Sequence, residues 1–224
     1  MKEAIRNYYN ELAGTYDENR FANSYGDYIH RQEIAVLTRY LDKTKTEKNL
    51  DLACGTGRFM EYAQYGLDLS PEMVQVSSEK FPSKNVAVGD AESLPFADGY
   101  FENVLAFHLF MHLDHPQMSR IFQEVARVTS QGGYFVFDVP SQKRRKLTGY
   151  KASNWHGGNQ IDTKTLRAMT AANWKLVAYH GIAFFPIHKI PKGLRKLFIG
   201  LDNAMSNSPL REWSSHLIFV LRKK

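Results

Sequence analysis

Short apolar runs alternate with stretches of helical periodicity along most of this chain. Strand-like runs occupy residues 49–53, 65–69, 86–89, 101–107 and 133–139. Helical patterns lie between and after them, near residues 57–64, 71–81 and 115–129. Ser70 followed by Pro71 is typical of a helix N-cap with proline in the first turn. Regular alternation of this kind predicts an α/β fold with a parallel sheet and helices on both faces.

The two ends of the chain depart from this alternation. Residues 2–13 predict an amphipathic helix, a polar-aromatic loop follows, and a second helix is expected from about residue 27 to 41. Toward the C-terminus the pattern predicts a basic loop over 141–160, a helix at 162–172 and a strand at 175–184. An insertion at 186–213 follows, with a helix near 193–205, and a last strand is expected at 216–221. We therefore expect an N-terminal helical segment, residues 1–43, ahead of a main domain, residues 44–224, with a cap insertion at 186–213.

The run from Asp51 to Arg58 reads DLACGTGR and is the most informative stretch of the chain. A buried strand there ends in a glycine turn, and Phe59 opens a helical pattern. Glycine lacks a Cβ and tolerates positive φ, so the backbone of such a turn can approach a ligand closely. Asp68 ends the next apolar run. In nucleotide-binding α/β folds, an acidic residue at this position accepts hydrogen bonds from the ribose hydroxyls. A nucleoside-containing cofactor is the hypothesis that follows.

Five blocks in this order resemble the class I S-adenosylmethionine-dependent methyltransferase family. They are DLACGTGR, GLDLS, GDAESLPF, FENVLAFHLFMHL and EVARVTSQGGYFVFDV, which extend from Asp51 to Val139. Ala53 departs from the family pattern, since many members have glycine there, and the helix after the turn is short. The resemblance implies a doubly wound, Rossmann-like sheet of seven mostly parallel strands, with an antiparallel last strand, an N-terminal helical lid and an insertion between the last two strands.

The resemblance also implies the residues around the cofactor, S-adenosylmethionine, which leaves as S-adenosylhomocysteine. These predicted cofactor-binding residues lie at the glycine turn, around the ribose and the adenine, and along the cleft. They are Tyr16, Asp51, Ala53, Gly55, Gly57, Asp68, Leu69, Asp90, Ala91 and Phe107. A dinucleotide is disfavoured because Met60 stands where its fingerprint requires a third glycine. No run matches a phosphate-binding P-loop either.

Candidate catalytic groups are histidines. His156 lies in a Trp-His-Gly-Gly loop expected to face the pocket, and its ordinary pKa suits a general base. His112 is a candidate substrate contact, with helix capping or packing as the alternative. His108, His112 and His115 share helical spacing, but residue 109 is leucine, so the zinc motif H-E-x-x-H is absent and we predict no metal. A base is needed only for a hydroxyl or a protonated amine acceptor.

Charge is divided unequally along the chain. Residues 1–140 contain 13 basic and 20 acidic side chains, whereas residues 141–224 contain 16 basic and 3 acidic ones. Ten of the basic residues fall in two loops expected on the ligand side of the sheet, namely Lys143, Arg144, Arg145, Lys146, Lys151, Lys189, Lys192, Arg195, Lys196 and Arg211. A solvated face is the ordinary reading of any one of them, but together they favour an anionic acceptor or carrier.

The helix expected near 193–205 has apolar residues at helical spacing and basic flanks. It could cover the substrate, lie on an anionic membrane surface as a peripheral contact, or pack on the sheet. No apolar run approaches the ~18 residues that a membrane span needs. No signal peptide is recognisable and the single cysteine, Cys54, has no disulfide partner, so we expect a cytoplasmic protein.

These observations predict a methyltransferase that acts on a small or lipid-linked, anionic acceptor. Two alternatives stay open. The first is an RNA methyltransferase that uses the basic residues as a phosphate track, although motifs of base-modifying enzymes are missing. The second is a regulator that binds S-adenosylmethionine without turnover.

Overall fold

The computed structural model describes residues 2–152 and 155–224, and a seven-stranded sheet forms its centre. The sheet order is β3-β2-β1-β4-β5-β7-β6, in which β7 runs antiparallel to both of its neighbours. The strands are β1 (Asn49–Leu52), β2 (Tyr65–Asp68), β3 (Asn85–Val88), β4 (Phe101–Ala106), β5 (Thr129–Pro140), β6 (Trp174–Ile182) and β7 (His216–Lys223). The expected fold class is confirmed.

Helices cover both faces of the sheet. They are α1 (Lys2–Leu12), α2 (Tyr16–Arg20), α3 (Ser24–Leu37), α4 (Pro71–Lys80), α5 (His115–Val128), α6 (Gln142–Thr148), α7 (Thr163–Thr170) and α8 (Arg195–Ser206). Ser70 caps α4 as predicted, since its hydroxyl accepts the Met73 N–H at 3.1 Å. None of the described helices is long and apolar enough to span a bilayer.

The core has two parts, one on each face of the sheet. On one face, α5 buries Ile121, Phe122 and Val125 against strands β4 and β5. On the other face, Val36 and Leu37 of α3 pack with residues that follow the glycine turn. Because both faces are covered, the central strands read as continuous apolar runs, which explains why they were recognisable.

Two local predictions are wrong. The helix expected over 57–64 is only a short 3₁₀ turn, Met60–Tyr62, because few residues separate the glycine turn from β2. The stretch 141–160 is not simply a loop, because it contains α6, which is capped by the Ser141 hydroxyl and ends at Gly149 with φ +64°.

Candidate functional site

The glycine turn lies at the carboxyl end of β1, where ligands bind in open α/β sheets. Ala53, Gly55 and Gly57 all have positive φ, at 59°, 53° and 89°. A Cβ on Gly57 would lie 2.7 Å from both the Phe81 ring and the Ser77 hydroxyl, so this position needs glycine for space as well as for conformation. Gly55 has open space in front of it, which is where a ligand could approach the backbone.

Asp68 at the end of β2 is tied directly to the turn. One carboxylate oxygen accepts the Gly55 N–H at 2.8 Å, and the other accepts the Ser70 N–H at 2.9 Å. Burial raises the pKa of Asp68, while these backbone N–H groups act to lower it. Each oxygen keeps a second lone pair, so the carboxylate can still accept hydrogen bonds from ribose hydroxyls.

Asp90 follows β3 and is contacted by the first helix. The Lys2 ammonium donates to one Asp90 oxygen at 2.6 Å and also lies 3.0 Å from Glu92. The other Asp90 oxygen accepts the Glu92 N–H at 2.9 Å. Lys2 was not predicted from the sequence, because a lysine in an amphipathic helix gives no sign of which distant carboxylate it will contact.

A first cavity of about 850 Å³ opens over this edge of the sheet. Among the predicted cofactor residues its walls include Tyr16, Ala53, Gly55, Asp68, Leu69, Asp90, Ala91 and Phe107. Asp51 and Gly57 lie outside the lining, behind the turn. Helix α1 adds Ile5 and Tyr9 to the wall, which the sequence analysis did not anticipate.

Asp51 supports the turn from inside the core. Its side chain is buried, and one oxygen has no hydrogen-bond partner within the described residues. Desolvation raises the pKa of Asp51 to about 8, although Arg58 opposes the shift. A buried acceptor beside the turn would be satisfied by a donor such as an ammonium group or a water molecule.

A second cavity of about 990 Å³ adjoins the first. Tyr9, Tyr16 and His108 line both cavities and therefore form the boundary between them. Aromatic and polar side chains line the rest of its wall, among them Phe21, Tyr25, Arg20, His156 and His216. Two adjoining cavities are what a transfer between two bound molecules requires.

The two predicted catalytic histidines lie next to each other. The rings of His112 and His156 have centroids 4.7 Å apart. His112 Nε2 lies 2.7 Å from the Tyr9 hydroxyl, and its Nδ1 accepts the Gly157 N–H at 3.3 Å. Burial, with the nearby His156 and His108, lowers the pKa of His112 to about 3. The substrate contact of His112 stays a prediction; His112 lines the first cavity, whereas His156 borders the second.

A buried chain of charged side chains runs beneath the boundary. Arg58 pairs with Glu33 at 2.5 Å, and His108 Nε2 lies 3.0 Å from the other Glu33 oxygen. Asp138 lies beyond His108 and contacts His216 at 3.1 Å. This chain was not predicted from the sequence, because its members come from five separate segments. His108 itself has φ +61°, a strained conformation of the kind that recurs at functional sites.

The first cavity fits S-adenosylmethionine on the chemistry of its lining. Asp68 offers oxygens suited to the ribose hydroxyls, and open backbone lies at Gly55. Tyr9, Tyr16 and Phe107 supply aromatic surface, which attracts a sulfonium cation.

Comparison with known proteins agrees with this geometry. Residues 50–137 match a family model described as a methyltransferase domain. A demethylmenaquinone methyltransferase from Chlorobaculum parvum is 30% identical over 141 residues, which cover 59% of this chain and 58% of that protein. A malonyl-[acyl-carrier protein] O-methyltransferase from a Marinomonas species is 32% identical over 148 residues, covering 60% and 53%.

The fold is shared with solved structures at low sequence identity. A SAM-dependent methyltransferase from Thermotoga maritima superposes with a TM-score of 0.68 at 17% identity, covering 96% of this chain and 98% of that one. This chain spans a little over half the length of the curated relatives named above. The sheet order, the glycine turn and the methyltransferase domain matched over residues 50–137 support a class I S-adenosylmethionine-dependent methyltransferase.

Proposed function

We propose that this chain transfers a methyl group from S-adenosylmethionine in the first cavity to an acceptor in the second. The observation that carries the proposal is the shared boundary at Tyr9, Tyr16 and His108. Two molecules that meet there are held in contact, and such positioning supplies a large part of the catalysis of a bimolecular transfer.

The residues of the site have distinct tasks in this proposal. Asp68 holds the ribose, and the backbone at Gly55 accommodates the neighbouring part of the cofactor. When bound, S-adenosylmethionine supplies a methyl group on a sulfonium that leaves as a neutral thioether. The aromatic boundary excludes water from the reacting atoms. His156, on the wall of the second cavity, accepts a proton from the acceptor where the acceptor carries one.

Helices α1 and α2 act as a lid over the first cavity in this proposal, whereas α3 is packed into the core. Several contacts of α1 and α2 with the main domain are polar. Asn10 meets the Ser70 hydroxyl at 2.6 Å, Asp17 accepts the Thr56 hydroxyl at 2.6 Å, and Lys2 reaches Asp90. Polar contacts of this kind are readily exchanged for water, so the lid can open to admit the cofactor.

A small or lipid-linked acceptor suits the second cavity. Tyr16, Phe21 and Tyr25 provide aromatic surface, and Arg20 supplies a positive charge for an anionic group. The relatives described above act, by their names, on demethylmenaquinone and on malonyl-[acyl-carrier protein]. We therefore place the acceptor among apolar or carrier-linked molecules with an anionic or polar head.

The orientation of helix α8 favours a lipid-linked acceptor in this proposal. It buries Asp202 and Ser206 against the protein, while its apolar stripe is turned outward. Leu197 is 75% exposed and Leu201 is 50% exposed, with Leu194 and Phe198 beside them. Asp202 accepts hydrogen bonds from the Tyr28 hydroxyl and the Gln32 amide, which fixes this orientation. We infer that the stripe touches a membrane surface as a peripheral contact.

The basic residues of the two C-terminal loops do not surround the second cavity, and two of them, Arg195 and Lys196, belong to α8 itself. None of the nine whose side chains are described lines either cavity, and the side chain of Lys192 lies outside the described set. Arg145 is committed to the Gly157 and Asn159 carbonyls, and Lys143 pairs with Glu212. We propose that the uncommitted ones, such as Lys146 and Lys196, attract an anionic lipid surface.

Cofactor binding is tested by calorimetry on the full chain. Asp68→Ala should weaken S-adenosylmethionine binding at least tenfold, about 1.4 kcal/mol or more, because a charged acceptor is lost. Asp68→Asn keeps an acceptor for the Gly55 N–H and should lose less. Glu47→Ala, on an exposed connector, is the matched control and should bind as the wild type does. Equal affinity in Asp68→Ala would remove the ribose assignment.

Methyl transfer is tested separately with cofactor that carries a labelled methyl group. The protein is incubated with cell extract, and the extract is then divided into lipid, small-molecule and RNA fractions. We expect label in the lipid or small-molecule fraction, and an Arg20→Ala variant should raise the acceptor KM. Label in RNA would favour the RNA methyltransferase instead, and no label in any fraction would favour a binding protein without turnover.

A further inference from the structure

Three side chains from three neighbouring strands converge at the wall of the second cavity. His108 follows β4, Asp138 belongs to β5, and His216 begins β7. Since β4, β5 and β7 are adjacent in the sheet, the fold brings together residues that are 30 and 78 positions apart. Both histidines line the second cavity, and Asp138 is buried behind them.

Their facing atoms have the spacing of metal ligands. His216 Nδ1 lies 3.1 Å from Asp138 Oδ2, and His108 Nδ1 lies 3.7 Å from the same oxygen. All three atoms lie within 4.8 Å of one another. Ligands about 2.0–2.1 Å from a tetrahedral Zn²⁺ are about 3.3 Å apart, so His216 and Asp138 already have this spacing and His108 would move closer to them on binding.

The remaining polar atoms of two of these residues lie beside other partners. Asp138 Oδ1 accepts the backbone N–H of His108 at 2.5 Å, which leaves Oδ2 for the cluster. His108 Nε2 lies 3.0 Å from Glu33, and Glu33 is itself fixed by Arg58. A carboxylate on the far nitrogen of a histidine is the usual support of a metal ligand, because it orients the ring.

We propose that His108, Asp138 and His216 bind one divalent transition-metal cation. Two imidazoles and a carboxylate are ligands typical of Zn²⁺ and its neighbours, and three protein ligands leave positions open. Those positions face the second cavity, because both histidines are on its wall. The cation would coordinate an oxygen of the acceptor and stabilise its deprotonated form. This last role rests on the proposed function, whereas the binding of the cation does not.

The test measures binding alone, on the full chain after removal of metal by a chelator. Zn²⁺ is titrated by calorimetry, and Co²⁺ is followed by its visible absorption, without S-adenosylmethionine or acceptor. We expect one cation per chain and an absorption band typical of low coordination number. His216→Ala should weaken binding at least tenfold, as should Asp138→Asn. Glu33→Gln, which acts through His108, should lower the metal affinity roughly tenfold to a hundredfold.

Controls separate this site from adventitious surface binding. His115→Ala removes an exposed histidine at the start of α5 and should leave both titrations unchanged. Circular dichroism checks that each variant is folded, and His216 is partly exposed, so its replacement is the better tolerated change. A wild-type chain that takes up no cation, or a His216→Ala variant that binds as the wild type does, would overturn the proposal. Absent methyl transfer would not, because binding is measured independently of it.

Discussion

Asp51 provides a quantitative test of how the glycine turn is supported. Its carboxyl is 1% exposed, and burial raises its pKa from 3.8 to about 8. Between these two values the unfolded chain has released the proton while the folded chain retains it. This contribution to stability is therefore complete below pH 3.8 and is lost as the pH rises through about 8. Asp51→Asn removes the titrating group and keeps its shape.

The magnitude follows from linkage. Each pH unit between 6 and 8 costs the wild type about 1.4 kcal/mol at this site, and the loss levels off above pH 8. The free energy of unfolding of Asp51→Asn, relative to the wild type, should therefore increase by about 2.7 kcal/mol between pH 6 and pH 9. Any effect of the new amide on the free energy of unfolding that does not depend on pH cancels, because only the difference between the values at pH 6 and pH 9 is used.

Urea unfolding at the two pH values, followed by tryptophan fluorescence, supplies the free energies. Glu11→Gln, on the exposed side of α1, is the control and should give the same difference from wild type at both pH values. If the Asp51→Asn difference were also independent of pH, the carboxyl would not be desolvated in the folded chain, and our account of the turn would be wrong.

Three further changes test the turn, helix α8 and the membrane contact. Gly57→Ala should destabilise the fold by about 1–3 kcal/mol in urea unfolding, because the new Cβ would collide with its neighbours at a positive φ. Gly14→Ala is the control: its Cβ would meet nothing within 4 Å, so the change should be close to neutral or slightly stabilising. Asp202→Ala should cost about 3 kcal/mol or more, measured in the same way, because three donors lose their buried acceptor. Replacing Leu197 and Leu201 together by glutamate should reduce sedimentation with phosphatidylglycerol vesicles at least tenfold while S-adenosylmethionine affinity is retained. Vesicle binding equal to that of the wild type would rule out the α8 stripe as the contact.

Some residues of the site could be predicted from the local sequence pattern alone. The turn at Gly55 and the acid at Asp68 were predicted because each closes an apolar strand, and strand ends define the ligand edge of a parallel sheet. The helix predicted after the turn was wrong, because the short connector between the turn and β2 has room for only one 3₁₀ turn. Periodicity reports which side of an element is apolar, and it does not report whether so short a connector forms a regular helix.

Helix α8 shows a different limit of pattern. Its apolar spacing was predicted from the sequence, and three alternatives were left open for it, namely a cover over the substrate, membrane contact and packing on the sheet. The structure turns the stripe outward because Asp202 finds donors on α3 and on the chain after β6, which the sequence of α8 does not reveal. A buried carboxylate with several donors can determine which side of an amphipathic helix faces the protein.

The sequence by itself determined the fold class, the succession of strands along the chain and the ligand edge of the sheet, because apolar runs and turn residues within short segments report them. Only the tertiary structure decided which distant side chains meet. The boundary of two cavities, the lysine on Asp90 and the cluster of His108, Asp138 and His216 all join separate segments. Such contacts depend on the three-dimensional path of the backbone, which a single sequence does not specify residue by residue.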